Sequence, residues 1–297
     1  MTSMKPPPLA LLLACYLAST VTAQPQTSTQ DVSSSLTSRE EACYSTESEP
    51  LKPLGRKFVK NLLLDQKEIW TSPFHMKRSD AKWWLLFGTA TGALIAMDHW
   101  TSRQLPNTND QARFSARVSN VGAAYTVIPV TAAFYLGGVL TDNAKARETG
   151  LLGAQALVDG LVVFEVLKLA TERQRPLVDG GHGQFFHGGD SFPSGHTMAA
   201  FALASVVAHE YRNKKMVPVI AYGLATLVGA ARFSARQHFA SDVLAAGAMG
   251  WFIGTYVVQT NQDAARRRSP LKAIAHPQVI PELQPGGGYG ISLAWHP

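Results

Sequence analysis

Apolar residues gather in six stretches along the chain: 83–97, 119–140, 149–170, 196–209, 216–231 and 239–259. Their lengths and their Ala/Leu/Gly-rich content predict helices rather than strands. The expected fold is therefore all-α, a bundle of about six core helices. Polar and charged residues fall in short intervals between the stretches, so any chemistry belongs at the helix ends.

The flanks have a different pattern. Residues 1–23 read as a secretory signal, with Lys5 ahead of the apolar run LALLLACYLAST and a small-residue cleavage site at Val21-Thr22-Ala23. Cleavage there would leave Cys43 as the sole cysteine, so no internal disulfide is expected. Residues 24–78 read as a Ser/Thr/Gln-rich flexible linker followed by a basic lead-in carrying Trp70 and Phe74. The helical core is expected over 79–262. The tail, 263–297, starts with the run Arg266-Arg267-Arg268 and turns Pro/Gly-rich; its end, YGISLAW, could form one short strand.

Several apolar stretches approach the roughly 20 residues that a bilayer crossing needs. The interval between Arg117 and Asp142 is free of charge, and 239–259 carries only Asp242. Asp159 and Glu165 interrupt 149–170 and are tolerable only inside a bundle. Two readings stand: a compact exported bundle, or a multi-span protein with a polar centre. The connectors with Lys145/Arg147 and Arg212/Lys214/Lys215, together with the Arg266 run, would be cytoplasmic by the positive-inside rule. Five crossings from 119 onward place them there if residues 24–118 lie outside; the basic stretch 51–82 fits that arrangement poorly. A periplasmic or cell-envelope location is expected.

The composition narrows the partners. The 297 residues are 46% hydrophobic and 16% charged, with a formal net charge of +6. An anionic partner is favoured. Nucleic acid is not, because the basic residues are scattered rather than gathered in a stripe with stacking aromatics.

Three motifs could meet on one anion. In KLATERQRP, Lys168 and Arg175 are seven apart and so share a face of a helix that Pro176 ends near Arg175; Glu172 could pair with Lys168, and Arg173 and Gln174 are expected in solvent. Cations at a helix C-terminus also suit the macrodipole, so this motif alone decides little. In SFPSGHTM, Ser194 is placed to cap a helix whose free N–H groups suit phosphate, Gly195 permits close approach, and His196 follows in the first turn. In ARFSARQHFASD, Arg232 closes one apolar helix, and His238 and Asp242 lie four apart at the start of the next. Asp242 can then accept the Nδ1 proton of His238 and leave Nε2 free to attack. Arg236 and Ser234 read as turn residues.

Three cations and a helix N-terminus suit a phosphate dianion, and two histidines supply a nucleophile and a proton donor. A metal site is disfavoured, since Lys168, Arg175 and Arg232 would repel a cation. FPSGH is not the G-x-S-x-G nucleophile elbow, which argues against a serine hydrolase.

In this order, Lys-x6-Arg-Pro, Pro-Ser-Gly-His and Arg-x5-His-x3-Asp make the chain, over roughly 80–260, resemble the type-2 phosphatidic acid phosphatase/vanadium haloperoxidase superfamily. Ala231 departs from the serine frequent before the third motif's arginine. The resemblance implies that Lys168, Arg175, Arg232, Ser194 and Gly195 hold phosphate. It implies that His238 becomes a phosphohistidine, that Asp242 orients it, and that His196 protonates the leaving group and then activates water. No cofactor or metal is implied, and vanadate is expected to occupy the phosphate site. The expected substrate is a lipid phosphate or prenyl diphosphate. A soluble broad-specificity acid phosphatase acting on small phosphomonoesters and a vanadium haloperoxidase are the alternatives. The glycine-rich loop 177–190 reads as a mobile lid whose Phe185 and Phe186 could touch a lipid chain, or as a flexible connector, with His182 and His187 in solvent.

Overall fold

The computed structural model describes Tyr44 and residues 51–74, 78–105, 108–275, 278–283 and 289–294. The signal, its cleavage site and Cys43 lie outside the described residues. Eight α-helices are described: α1 (Leu51–Thr71), α2 (Arg78–Gln104), α3 (Asn109–Ser119), α4 (Ala124–Leu140), α5 (Ala144–Thr171), α6 (Gly195–Glu210), α7 (Met216–Ser234) and α8 (Ala240–Ala275). All six apolar stretches are helical. The basic lead-in contributes α1, which packs on α5, and the tail continues α8 to Ala275 before a hairpin. There the strand expected around YGISLAW is β2 (Tyr289–Ala294), antiparallel to β1 (Gln278–Leu283).

The shortest core helix, α6, is also the most enclosed, packing against α5, α7 and α8. Its small residues explain why. A Cβ on Gly250 of α8 would stand 2.3 Å from the Met198 carbonyl oxygen, and one on Gly254 would stand 2.3 Å from that of Ala202. Two glycines four apart thus let α8 lie backbone to backbone on α6, the close approach favoured between helices in lipid. Leu152, Ala156 and Val163 of α5 pack with Met198, Ala202 and Val206 of α6 and with Ile253 and Val257 of α8 to form the core.

Apolar side chains also face outward, among them Leu140, Leu161, Leu169, Ile220 and Leu227. So large an apolar surface marks contact with lipid. Asn109–Leu140, Ala144–Thr171, Met216–Ser234 and Ala240–Arg267 are long and apolar enough to cross a bilayer. The bundle is membrane-embedded, which favours the multi-span reading over the compact exported one. Among its buried polar groups, Asp159 accepts from Gln66 of α1 through Oδ1 at 2.8 Å.

Candidate active site

The ends of four core helices meet on one side of the bundle. α5 and α7 arrive with their C-termini, carrying Lys168 and Arg232; α6 and α8 depart with their N-termini, carrying His196 and following His238. All three motifs are therefore brought to one end.

His238 sits in the turn before α8 and is 3% exposed. Its Nδ1 lies 2.7 Å from the Ser191 carbonyl oxygen, which can only accept, so Nδ1 carries the proton. Nε2 is then the bare nitrogen and faces Arg232 Nη2 at 3.2 Å. Burial, reinforced by the Arg232 charge, holds the ring's pKa down at about 3, against its hydrogen bond to Ser191. The neutral imidazole is a ready nucleophile.

Asp242 was expected to take the Nδ1 proton directly. Instead its Oδ2 stands 3.9 Å from Nδ1 and accepts from Ser191 Oγ at 2.6 Å and from the Phe239 amide at 2.9 Å. The carboxylate orients His238 by fixing Ser191 and the turn, and its charge lies behind the ring.

The first motif is arranged differently from its expected form. α5 ends at Thr171, because Glu172 adopts a left-handed conformation (φ 43°). Arg175 is outside the helix and shares no face with Lys168. Lys168 pairs with Glu165 at 2.8 Å, not with Glu172. Its Nζ also lies over the Phe164 ring, and a Cβ on Gly195 would stand 3.0 Å from that same ring. A side chain at 195 would thus crowd the α5–α6 approach. Arg175 is held in a fork by Asp190, at 2.7 and 2.8 Å, and donates to Gln237 at 2.7 Å. Ser194 occupies the N-cap position of α6, but its hydroxyl meets Thr197 Oγ1 at 2.9 Å rather than the helix N–H groups. Arg232 Nε is buried without a hydrogen-bond partner.

Arg173, expected in solvent, is among the most deeply buried side chains, 1% exposed. It donates to Asp242 at 2.5 Å, Asp98 at 2.8 Å, Ser241 at 2.7 Å and the Gly183 carbonyl at 3.1 Å. Its guanidinium lies between the rings of Phe185 and Phe239. Phe185 thus packs on Arg173. The loop 177–190 is no loose lid: Gln174, Phe186, His187, Gly189 and Ser191 make backbone hydrogen bonds that join it to residues 171–174. Gly183 (φ 63°) must be glycine, since a Cβ would strike Phe239 at 2.4 Å. His182 stacks on His99 of α2 with ring centroids 4.2 Å apart. Arg236 is a turn residue, tied to the Leu105 carbonyl, whereas Ser234 is the last residue of α7 and accepts from Gln111. Among the described residues no His/Cys/Asp/Glu cluster suits a metal ion.

Sequence reasoning missed Arg173, Asp98, Ser191 and Ser241. A charged residue two positions before the motif's Arg175 was the visible signal for Arg173; Asp98 gave none beyond being a lone acid just past the apolar stretch 83–97.

The PAP2 superfamily model matches residues 149–266. Phosphatidylglycerophosphatase B of Bacillus subtilis is 38% identical over 145 residues, 45% of this chain and 66% of that protein. Lipid A 1-phosphatase of Porphyromonas gingivalis is 39% identical over 66 residues, 22% of this chain and 15% of that protein. Both matches thus cover less than two thirds of the relative. Among solved structures, the transmembrane PAP2-type phosphatidylglycerolphosphate phosphatase from Bacillus subtilis is 25% identical with a TM-score of 0.49, covering 62% of this chain and 96% of that one. Over residues 149–266 the chain is thus similar to the PAP2 superfamily, in line with the three motifs that meet at the site.

Proposed function

We propose that the protein is a metal-independent phosphatase that hydrolyses a lipid phosphate or prenyl diphosphate through a phosphohistidine on His238. The observation that carries this reading is the tautomer: Nδ1 is spent on the Ser191 carbonyl, and Nε2 points at a half-buried arginine whose buried Nε lacks a partner. A phosphoryl oxygen would supply that partner. Nε2 attacks phosphorus, the bond from phosphorus to the leaving oxygen breaks, and His196 gives that oxygen a proton. His196 then takes a proton from the water that cleaves the phosphorus–nitrogen bond. Lys168, Arg175 and Arg232 balance the charge of the phosphoryl oxygens, and vanadate would compete for the same place.

The lipid part of the reading draws on a groove of about 290 Å³ between α4 and α7, floored by α6. Val127, Leu203, Leu224 and Val228 are among its lining residues. Val228 lies one turn below Arg232, so a chain in the groove would continue directly from a phosphate at the site. The relatives named above are, by name, phosphatases of phosphorylated lipids. The basic connectors Lys145 and Arg212–Lys215 lie at the opposite end of the bundle, which supports a catalytic end facing away from the cytoplasm.

The test is phosphate release from phosphatidate and from a prenyl diphosphate in excess EDTA, beside His238→Ala. EDTA-resistant release that vanishes in the variant supports the reading. Release only from small phosphomonoesters rejects the lipid, and loss in EDTA rejects the metal-free chemistry.

A further inference from the structure

The catalytic turn rests on a helix outside the matched region. Asp98, near the end of α2, is buried at 0% exposure. Its Oδ2 accepts from Arg173 and from the Ser241 hydroxyl, and its Oδ1 accepts from the Ser241 amide at 3.2 Å in the first turn of α8. Asp242, one residue further, accepts from the other arm of the same guanidinium. Every hydrogen bond that the Asp98 and Asp242 carboxyl groups make is accepted, so both are carboxylates. Two buried carboxylates thus share one guanidinium, a formal sum of −1 directly behind His238.

We infer that Asp98 is a positioning residue for the phosphoryl transfer: by sharing Arg173 with Asp242, it leaves an uncancelled negative charge behind the His238 ring. This rests on the phosphohistidine reading above. When the Nε2–phosphorus bond forms and the bond to the leaving oxygen breaks, Nδ1 keeps its proton against Ser191 and the ring gains positive charge. An Arg173–Asp242 pair alone would be neutral and would offer that charge little. With Asp98 present, the same network attracts it.

A charge role for Asp98 has a consequence that a purely structural role lacks. Asp98→Asn keeps an acceptor for the Ser241 amide but cancels the excess charge. His238 phosphorylation, followed by acid quench with labelled substrate and counted per active site, should slow about tenfold. KM should stay within about twofold, because Lys168, Arg175 and Arg232 are untouched. The double variant Asp98→Asn/Arg173→Gln restores the sum of −1 through Asp242 alone and should recover most of the rate. It also tests the idea if Asp98→Asn does not fold. A wild-type rate in Asp98→Asn overturns the inference. So does a folded double variant no faster than the single, and so does failure of both to fold, which would make Asp98 structural only. If the wild-type protein forms no phosphoenzyme, the proposed function fails instead.

Discussion

Two arginines, Arg173 below His238 and Arg232 above it, show how the site divides its labour. Arg173 has its hydrogen bonds filled by Asp98, Asp242, Ser241 and Gly183, and aromatic rings cover both faces. Arg232 has one contact to the histidine it faces and a buried Nε with none. A buried donor left unsatisfied costs free energy, commonly about 1–3 kcal/mol. The floor is therefore complete in the resting protein, while the mouth is left open to a ligand that can pair with it.

The contrast can be broken most severely at the atom between the two. His238→Ala should lower turnover by about a thousandfold or more while leaving the helical circular dichroism unchanged; a variant with comparable rates would reject the nucleophile. Replacing the arginines should separate them. Arg173→Gln breaks a buried pair and should cost roughly 3–5 kcal/mol, read as a large fall in thermal midpoint in detergent. Arg232→Gln should lower kcat/KM about a hundredfold yet leave the midpoint unchanged or slightly raised, because it removes an unsatisfied buried group. If both variants lose stability equally, the division into floor and mouth is wrong.

A smaller effect concerns acid. The folded state holds His238 at about 3, below its ordinary 6.5. Between those values the unfolded chain binds the extra proton, so stability falls as pH falls through that window. From pH 7 to pH 5, His238→Ala should therefore lose less thermal stability than the wild type. An identical loss in both would mean that the histidine is not held neutral.

The comparison also shows what could be read from the chain alone. The apolar runs marked all six core helices, and motif order brought the residues of the mouth to one end. Two helices were harder. The 51–71 segment is basic enough to resemble a lead-in, and 109–119 is short and polar; only packing on α5 and α7 secures them. The floor was illegible for a more specific reason. Helical spacing was carried through Arg175, but Glu172 turns left-handed and ends the helix at Thr171, which swings Arg173 inward. Its partner Asp98 lies 75 positions away, a separation no local pattern encodes. The glycines of 177–190 suggested mobility, but at Gly183 and Gly189 they let backbone press against Phe239 and Arg173.

The glycine pair at 250 and 254 bears on the two histidines. His196 opens α6, and His238 immediately precedes α8, the helices these glycines bring into backbone contact. The gauge between the proposed proton donor and the proposed nucleophile is thus a main-chain dimension. It inherits the stiffness of two helices rather than the rotamer play of side chains packed between them, and even an added methyl at either glycine would widen it.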